Sequence, residues 1–119
     1  MSGDIIDRDA LRRLLEVIGG DPEDLQELVE EFETTTPGLL RSMQAAAAVD
    51  GDQQALRIVA HSLKANGRDF GAPRLADLCG ALEADCRDGT VADPSGRVAA
   101  IGEELDKARA ALSTLSVAL

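Results

Sequence analysis

The chain has 119 residues, 45% of them apolar, no Tyr or Trp, and a formal net charge of −10. That length suits a single domain, residues 1–119, which buries a core without help from metal or disulfide. The acidic balance excludes a nucleic-acid binder, which needs clustered Lys and Arg to neutralise phosphates, and disfavours anionic membrane surfaces for the same reason.

Abundant Leu, Ala, Glu, Asp and Arg with almost no period-two alternation predicts an all-α protein. Met1-Ser2-Gly3-Asp4 has neither a basic region nor an apolar signal core. The longest unbroken apolar run, Ala45 to Val49, is far too short to span a bilayer, so a cytoplasmic protein is expected. Asp7 caps a short first helix to about Val17, with Leu11, Leu14 and Leu15 apolar and Gly19-Gly20 ending it. Asp21-Pro22 supplies the cap and first-turn proline of a second helix. Its stripe, Leu25, Leu28, Val29 and Phe32, continues in phase to Leu40, Met43 and Ala47, which predicts one long helix bent at Pro37 rather than two.

Asp50-Gly51-Asp52 is a stop and restart, and a third helix follows to about Phe70. Gly71-Ala72-Pro73 turns the next corner, after which Leu75, Leu78, Cys79, Leu82 and Cys86 form a fourth stripe. Beyond Asp88-Gly89, Asp93-Pro94 opens a last helix. Its apolar positions, Val98, Ile101, Leu105, Ala108, Leu112 and Leu115, alternate spacings of three and four, the narrow seam of nearly antiparallel packing. Short connections between these helices predict an up-down-up-down antiparallel four-helix bundle, with the short N-terminal helix as an accessory at one end.

Cys79 and Cys86, seven residues apart on one helix, lie roughly 10 Å from each other by the helical rise, too far to bridge. They read as small buried residues. With one histidine and no Cys-x-x-Cys pair, no ordinary zinc site is visible.

That histidine, His61, lies in the third helix, whose core stripe is Leu56, Val59, Ala60, Leu63, Gly67 and Phe70. At roughly 100° per residue His61 points about 150° from the stripe's centre. Gln54, Arg57, Ile58, Lys64, Ala65 and Arg68 share its outer face. A lone exposed histidine is most often a solvated surface residue, so the neighbours decide the reading. If the third and fourth helices are antiparallel about Ala72, residues equidistant from it lie at one height, and His61 and Glu83 are such a pair. A carboxylate accepting from Nδ1–H would hold Nε2 unprotonated and outward, as a nucleophile needs. Glu83 reads equally well as a solvated helix-face acid. The two readings differ in whether His61 is oriented or mobile. Between Ala55 and Ala76, Arg57, Lys64, Arg68 and Arg74 stand against Asp69 alone, a local positive excess suited to holding an anion on His61 or steering an acidic partner. Ile58 offers that partner an apolar contact.

Ala60-His61-Ser62-Leu63-Lys64, then Gly67, Gly71-Ala72, Leu75, Leu78-Cys79 and Leu82-Glu83, resembles the signature of histidine-containing phosphotransfer (HPt) domains, and the size and helical layout of the whole chain are similar to theirs. The resemblance implies a phosphorelay intermediate that takes a phosphoryl group from a receiver-domain aspartate and passes it to another receiver. It implies His61 as the acceptor through Nε2, Lys64 as the cation that helps hold the phosphoryl oxygens, and Gly67 as the small residue that leaves space around the site. Glu83 falls where phosphotransfer domains of chemotaxis kinases carry a glutamate hydrogen-bonded to the histidine. The family commonly has glycine after the lysine, and Ala65 stands there instead, a residue small enough for the site to survive but one that bears on how closely a receiver approaches. Arg57, Ile58, Ala65, Gly67 and Arg68 form the expected phosphoryl and partner surface.

No cofactor of its own is implied, since in this family the receiver brings the acidic pocket and Mg2+. The implied partners are response-regulator receiver domains and a hybrid or sensor histidine kinase, with no nucleic acid or membrane, and a monomer is expected. A competing reading is a non-catalytic helical adaptor that binds a signalling protein through the same face, with His61 incidental. Another is a phosphotransfer domain of a larger kinase, against which the opening Met1 and the finished last helix favour a standalone protein. His61 to Asn66 is also similar to the histidine box of sensor kinases, but no nucleotide-binding region or Gly-rich phosphate loop follows, so autonomous kinase activity is not expected.

Overall fold

The computed structural model describes residues 5–48 and 52–118, with side chains as far as 115. Met1-Ser2-Gly3-Asp4, Val49 and the predicted corner residues Asp50-Gly51 lie outside the described residues. Among those described there are five helices and no strand: α1 (Arg8–Val17), α2 (Pro22–Ala48), α3 (Gln53–Asp69), α4 (Pro73–Asp88) and α5 (Pro94–Ala118).

The local signals act where the sequence places them. Asp7 accepts from the Asp9 amide at 3.0 Å to start α1, Asp21 accepts from the Glu23 amide at 2.9 Å before α2, and Asp52 accepts from the Ala55 amide at 3.2 Å before α3. Gly89, at φ +70°, closes α4 in the left-handed conformation that glycine adopts without strain. Leu11 is buried in α1, whereas Leu14 and Leu15 are half-buried.

α2 and α5 carry seven-residue seams. In α2 the buried residues are Leu25, Val29, Phe32, Thr36, Met43 and Ala46. This is a repeat of 3.5 rather than 3.6 residues, so over 27 residues the seam drifts away from the predicted Ala47 onto Ala46, leaving Leu28, Leu40 and Ala47 partly buried. In α5, Val98, Ile101, Leu105, Ala108 and Leu112 are buried as predicted, with Leu115 packed partly against them. α2 packs on α3, α3 on α4, α4 on α5 and α5 on α2, while α1 lies against α2 and α3. One core runs through all five helices, with Phe32 and Phe70 tilted against each other at 4.8 Å between ring centres.

α2 runs continuously through Pro37, as predicted, and the structure shows how the missing donor is replaced. A proline lacks the amide that would bond the carbonyl four residues earlier, here that of Glu33. Arg109 of α5 donates its Nη2 to that carbonyl at 3.1 Å. Thr36 is buried beside it without an orphaned hydroxyl, because its Oγ1 donates to the Phe32 carbonyl at 2.6 Å.

Two glycines set how closely the elements approach. A Cβ on Gly67 would stand 3.0 Å from the backbone nitrogen of Ala76, so α3 and α4 meet there nearly backbone to backbone. Gly71, at φ +72°, accepts at its carbonyl from the Asp7 amide at 2.7 Å, and a Cβ on it would collide with the Asp7 carbonyl. The α3–α4 corner therefore docks the start of α1.

Replacing Arg109 by Met keeps the stem but orphans the Glu33 carbonyl, and is expected to cost about 1–2 kcal/mol in denaturant unfolding. Pro37→Ala restores the amide. In that background Arg109→Met should cost clearly less, and equal costs in both backgrounds would refute the compensation.

Candidate functional site

The α3–α4 hairpin delivers the site. Ala60, Leu63 and Gly67 face the core from α3, as do Cys79, Leu82 and Cys86 from α4, so His61 and Glu83 stand one residue off those stripes at matched heights. His61 Nδ1 lies 2.6 Å from Glu83 Oε2, and Lys64 Nζ donates to Oε1 of the same carboxylate at 2.5 Å. The Glu83 side chain is only 11% exposed and Lys64 23%, whereas His61 is 63% exposed. Glu83 is thus the oriented partner and not the solvated acid.

The protonation pattern follows from these contacts. The Lys64 hydrogen bond holds the Glu83 carboxyl below its ordinary range, against the upward push of burial and with further help from His61. An ionised carboxylate only accepts, so the proton in the Glu83–His61 bond sits on Nδ1. In the neutral ring this tautomer puts the lone pair on Nε2 of an exposed imidazole, the arrangement of a positioned nucleophile. A cleft of about 610 Å³ opens beside Lys64, Arg68 and Gly80 toward α1, but neither His61 nor Glu83 lines it. The imidazole therefore stands outside that cleft, exposed to solvent.

Comparison with known proteins decides the family. The family model described as Hpt domain matches residues 27–111. This chain belongs to the Hpt domain family. Histidine phosphotransfer within a phosphorelay is the function that membership carries, and with it interaction with receiver domains and kinases. Among solved structures, the crystal structure of histidine-containing phosphotransfer protein B (HptB) from Pseudomonas aeruginosa PAO1 is similar at 28% identity and a TM-score of 0.85, covering 98% of this chain and 98% of that one. No curated protein matches.

The remaining expected residues of this Hpt domain divide by place. Ile58 (54% exposed), Ala65 and Arg68 lie on the outer face with His61, and Arg57 beside them donates its Nε to Gln54 at 3.3 Å. Gly67 is buried, and the space it leaves is filled by the α4 backbone at Ala76 rather than opening around the imidazole. The positive excess is also smaller than the sequence suggests. Arg74 donates to Glu104 on α5 at 2.6 Å, with Lys107 3.5 Å from the other Glu104 oxygen, and Lys64 is matched by Glu83. Arg57 and Arg68 are the cations of this face with no carboxylate partner among the described residues.

Sequence reasoning missed Glu104, whose only signal is an acid between Ile101 and Leu105 on the α5 seam. It missed Arg97, which bonds Asp85 at 2.5 Å across the α4–α5 turn. Cys79 and Cys86 are buried and free, and burial pushes the Cys79 thiol up to about 12, so it carries no thiolate chemistry at neutral pH.

Glu104 is also held below the ordinary carboxylate range: burial pushes it up, and its bonds to Arg74 and Lys107 outweigh that. A carboxyl whose folded value is depressed stabilises the fold above its unfolded value and loses that contribution as pH falls through the folded one. Stability is therefore expected to hold from neutral pH down to the ordinary carboxylate range and to fall below it. Glu83→Gln and Glu104→Gln should each lower stability at neutral pH and flatten the acid limb of a denaturation series.

Proposed function

We propose that His61 is the phosphoryl acceptor of this phosphorelay protein. It takes the group onto Nε2 from the aspartyl phosphate of one receiver domain, or from a hybrid or sensor kinase, and yields it to the aspartate of another receiver. The observation that carries the reading is the 2.6 Å contact that fixes Nδ1 on a buried carboxylate while the ring stays exposed.

In the forward step the Nε2 lone pair attacks phosphorus, the bond to the donor's aspartate oxygen breaks, and the donor keeps the electron pair. The ring, bearing Nδ1–H and Nε2–P, becomes cationic, and the Glu83 carboxylate beside it stabilises that charge. Lys64 neutralises Glu83 at rest, and its ammonium is the cation that helps hold the transferred oxygens. Transfer of this kind depends mainly on positioning and charge stabilisation. Arg57, Ile58, Ala65 and Arg68 form the surface on which the receiver sits, and the receiver contributes Mg2+ and its own acidic pocket, so this chain needs no cofactor.

The ring of contacts from α2 through α5 supports an up-down-up-down bundle spanning one domain, residues 1–119, with α1 as the accessory helix. No helix of the described residues is long and apolar enough to cross a membrane. The reading is of a cytoplasmic monomer without kinase activity of its own. An adaptor using the same face would have no use for an oriented imidazole.

Incubation with phosphorylated receiver domains is expected to place acid-labile label on the wild type and none on His61→Gln. Equal label on the variant would exclude His61 as acceptor. Glu83→Ala, which frees the ring, should slow transfer about 10²-fold.

A further inference from the structure

Gly80 lies in the middle of α4, one turn before Glu83, and its backbone is ordinary helix. Glycine weakens a helix interior relative to alanine, so its presence there calls for a reason. A Cβ on Gly80 would stand 3.3 Å from Cδ and 3.9 Å from Cγ of Lys64, and beyond its own helix it would meet no other atom within 4 Å. The contrast with Gly67 is informative: there a Cβ would press on the backbone of α4, whereas at Gly80 it would press only on the lysine stem.

That stem is tethered at both ends, and its free side faces the cleft that Lys64 and Gly80 both line. Its far end is fixed by the 2.5 Å bond to Glu83, its near end by α3, and the spacing of α3 from α4 is set by the backbone approach at Gly67. A carbon at 3.3 Å is inside the 3.5–4.0 Å optimum for carbon pairs. The stem yields toward that cleft, and because its two ends are tethered the displacement draws the ammonium away from the carboxylate.

We propose that Gly80 is a positioning residue for phosphotransfer: its bare Cα is the track across which Lys64 reaches Glu83, and through Glu83 it keeps the His61 ring aimed. This rests on His61 being the acceptor. It adds a determinant that touches neither the imidazole nor the phosphoryl group. The local weakness of a helical glycine is then the cost of the lysine's path.

The test compares Gly80→Ala and Gly80→Val with the wild type, alone and in a Lys64→Met background, using label transfer from a phosphorylated receiver, thermal unfolding and NMR titration of the Glu83 carboxyl. Gly80→Ala is expected to unfold at the same or a higher temperature yet transfer about threefold more slowly. Gly80→Val is expected to transfer about tenfold more slowly, within the range that small misplacements cost. In both, the Glu83 carboxyl should titrate closer to its ordinary range, since the Lys64 bond is the chief cause of its depression. In the Lys64→Met background neither change should slow transfer further.

Wild-type rates with an unmoved Glu83 titration in both variants would overturn the proposal, as would an equal slowing with and without the Lys64 ammonium. If the wild type took no label on His61, the acceptor reading would fail by itself, while the Glu83 titration would still report whether Gly80 governs the Lys64 contact.

Discussion

A carboxylate taken out of water must be matched by hydrogen bonds, or the fold does not keep it ionised. Glu83 is that group: buried on α4, it accepts from Lys64 on one oxygen and from the His61 ring on the other. Without Lys64 a desolvated charge is stranded, and without His61 one of its oxygens loses its hydrogen-bond donor. The orientation of the exposed imidazole is therefore enforced from below by the electrostatics of a residue that solvent barely touches.

The same contact demands a particular distance between α3 and α4. The glycine at position 67 sets it by letting the two backbones meet, and the glycine at 71 turns the corner and seats α1 against it. Farther out, cross-helix bonds bring the remaining elements to the same frame. Arg109 ties α5 to the carbonyl that Pro37 leaves open in α2, Arg74 and Glu104 tie the start of α4 to α5, and Arg97 with Asp85 closes the α4–α5 connection. A side chain on such a scaffold is positioned in advance, and positioning supplies much of what phosphoryl transfer requires.

Charge on the face that carries His61 is more local than the composition suggests. Of the cations clustered in sequence around His61, Lys64 answers Glu83 and Arg74 answers Glu104. Arg57 and Arg68 remain without a carboxylate among the described residues, on the helix that also exposes Ile58. Steering by such a small basic patch on a molecule of net charge −10 is short-ranged under physiological screening.

Much was legible before any coordinates. Helix caps, glycine stops and apolar spacing are local, so they marked all five helices and most of the buried residues. The matched heights of His61 and Glu83 followed from simple antiparallel counting about Ala72, because a hairpin with a tight corner leaves register little freedom, while the contact between them was left for the structure to decide. The family signature runs through the same residues. What depended on two helices being together was not legible: the shift of the α2 seam onto Ala46, the rescue of the Glu33 carbonyl by Arg109, the loss of Arg74 to α5, and the path of Lys64 over Gly80. Sequence alone determined the helices and the matched heights of His61 and Glu83, since periodicity and hairpin symmetry reach that far. Tertiary structure alone decided which oxygen each cation holds and which glycine makes room for it, because those depend on side-chain direction and interhelical distance, and neither is written in the spacing of residues along one helix.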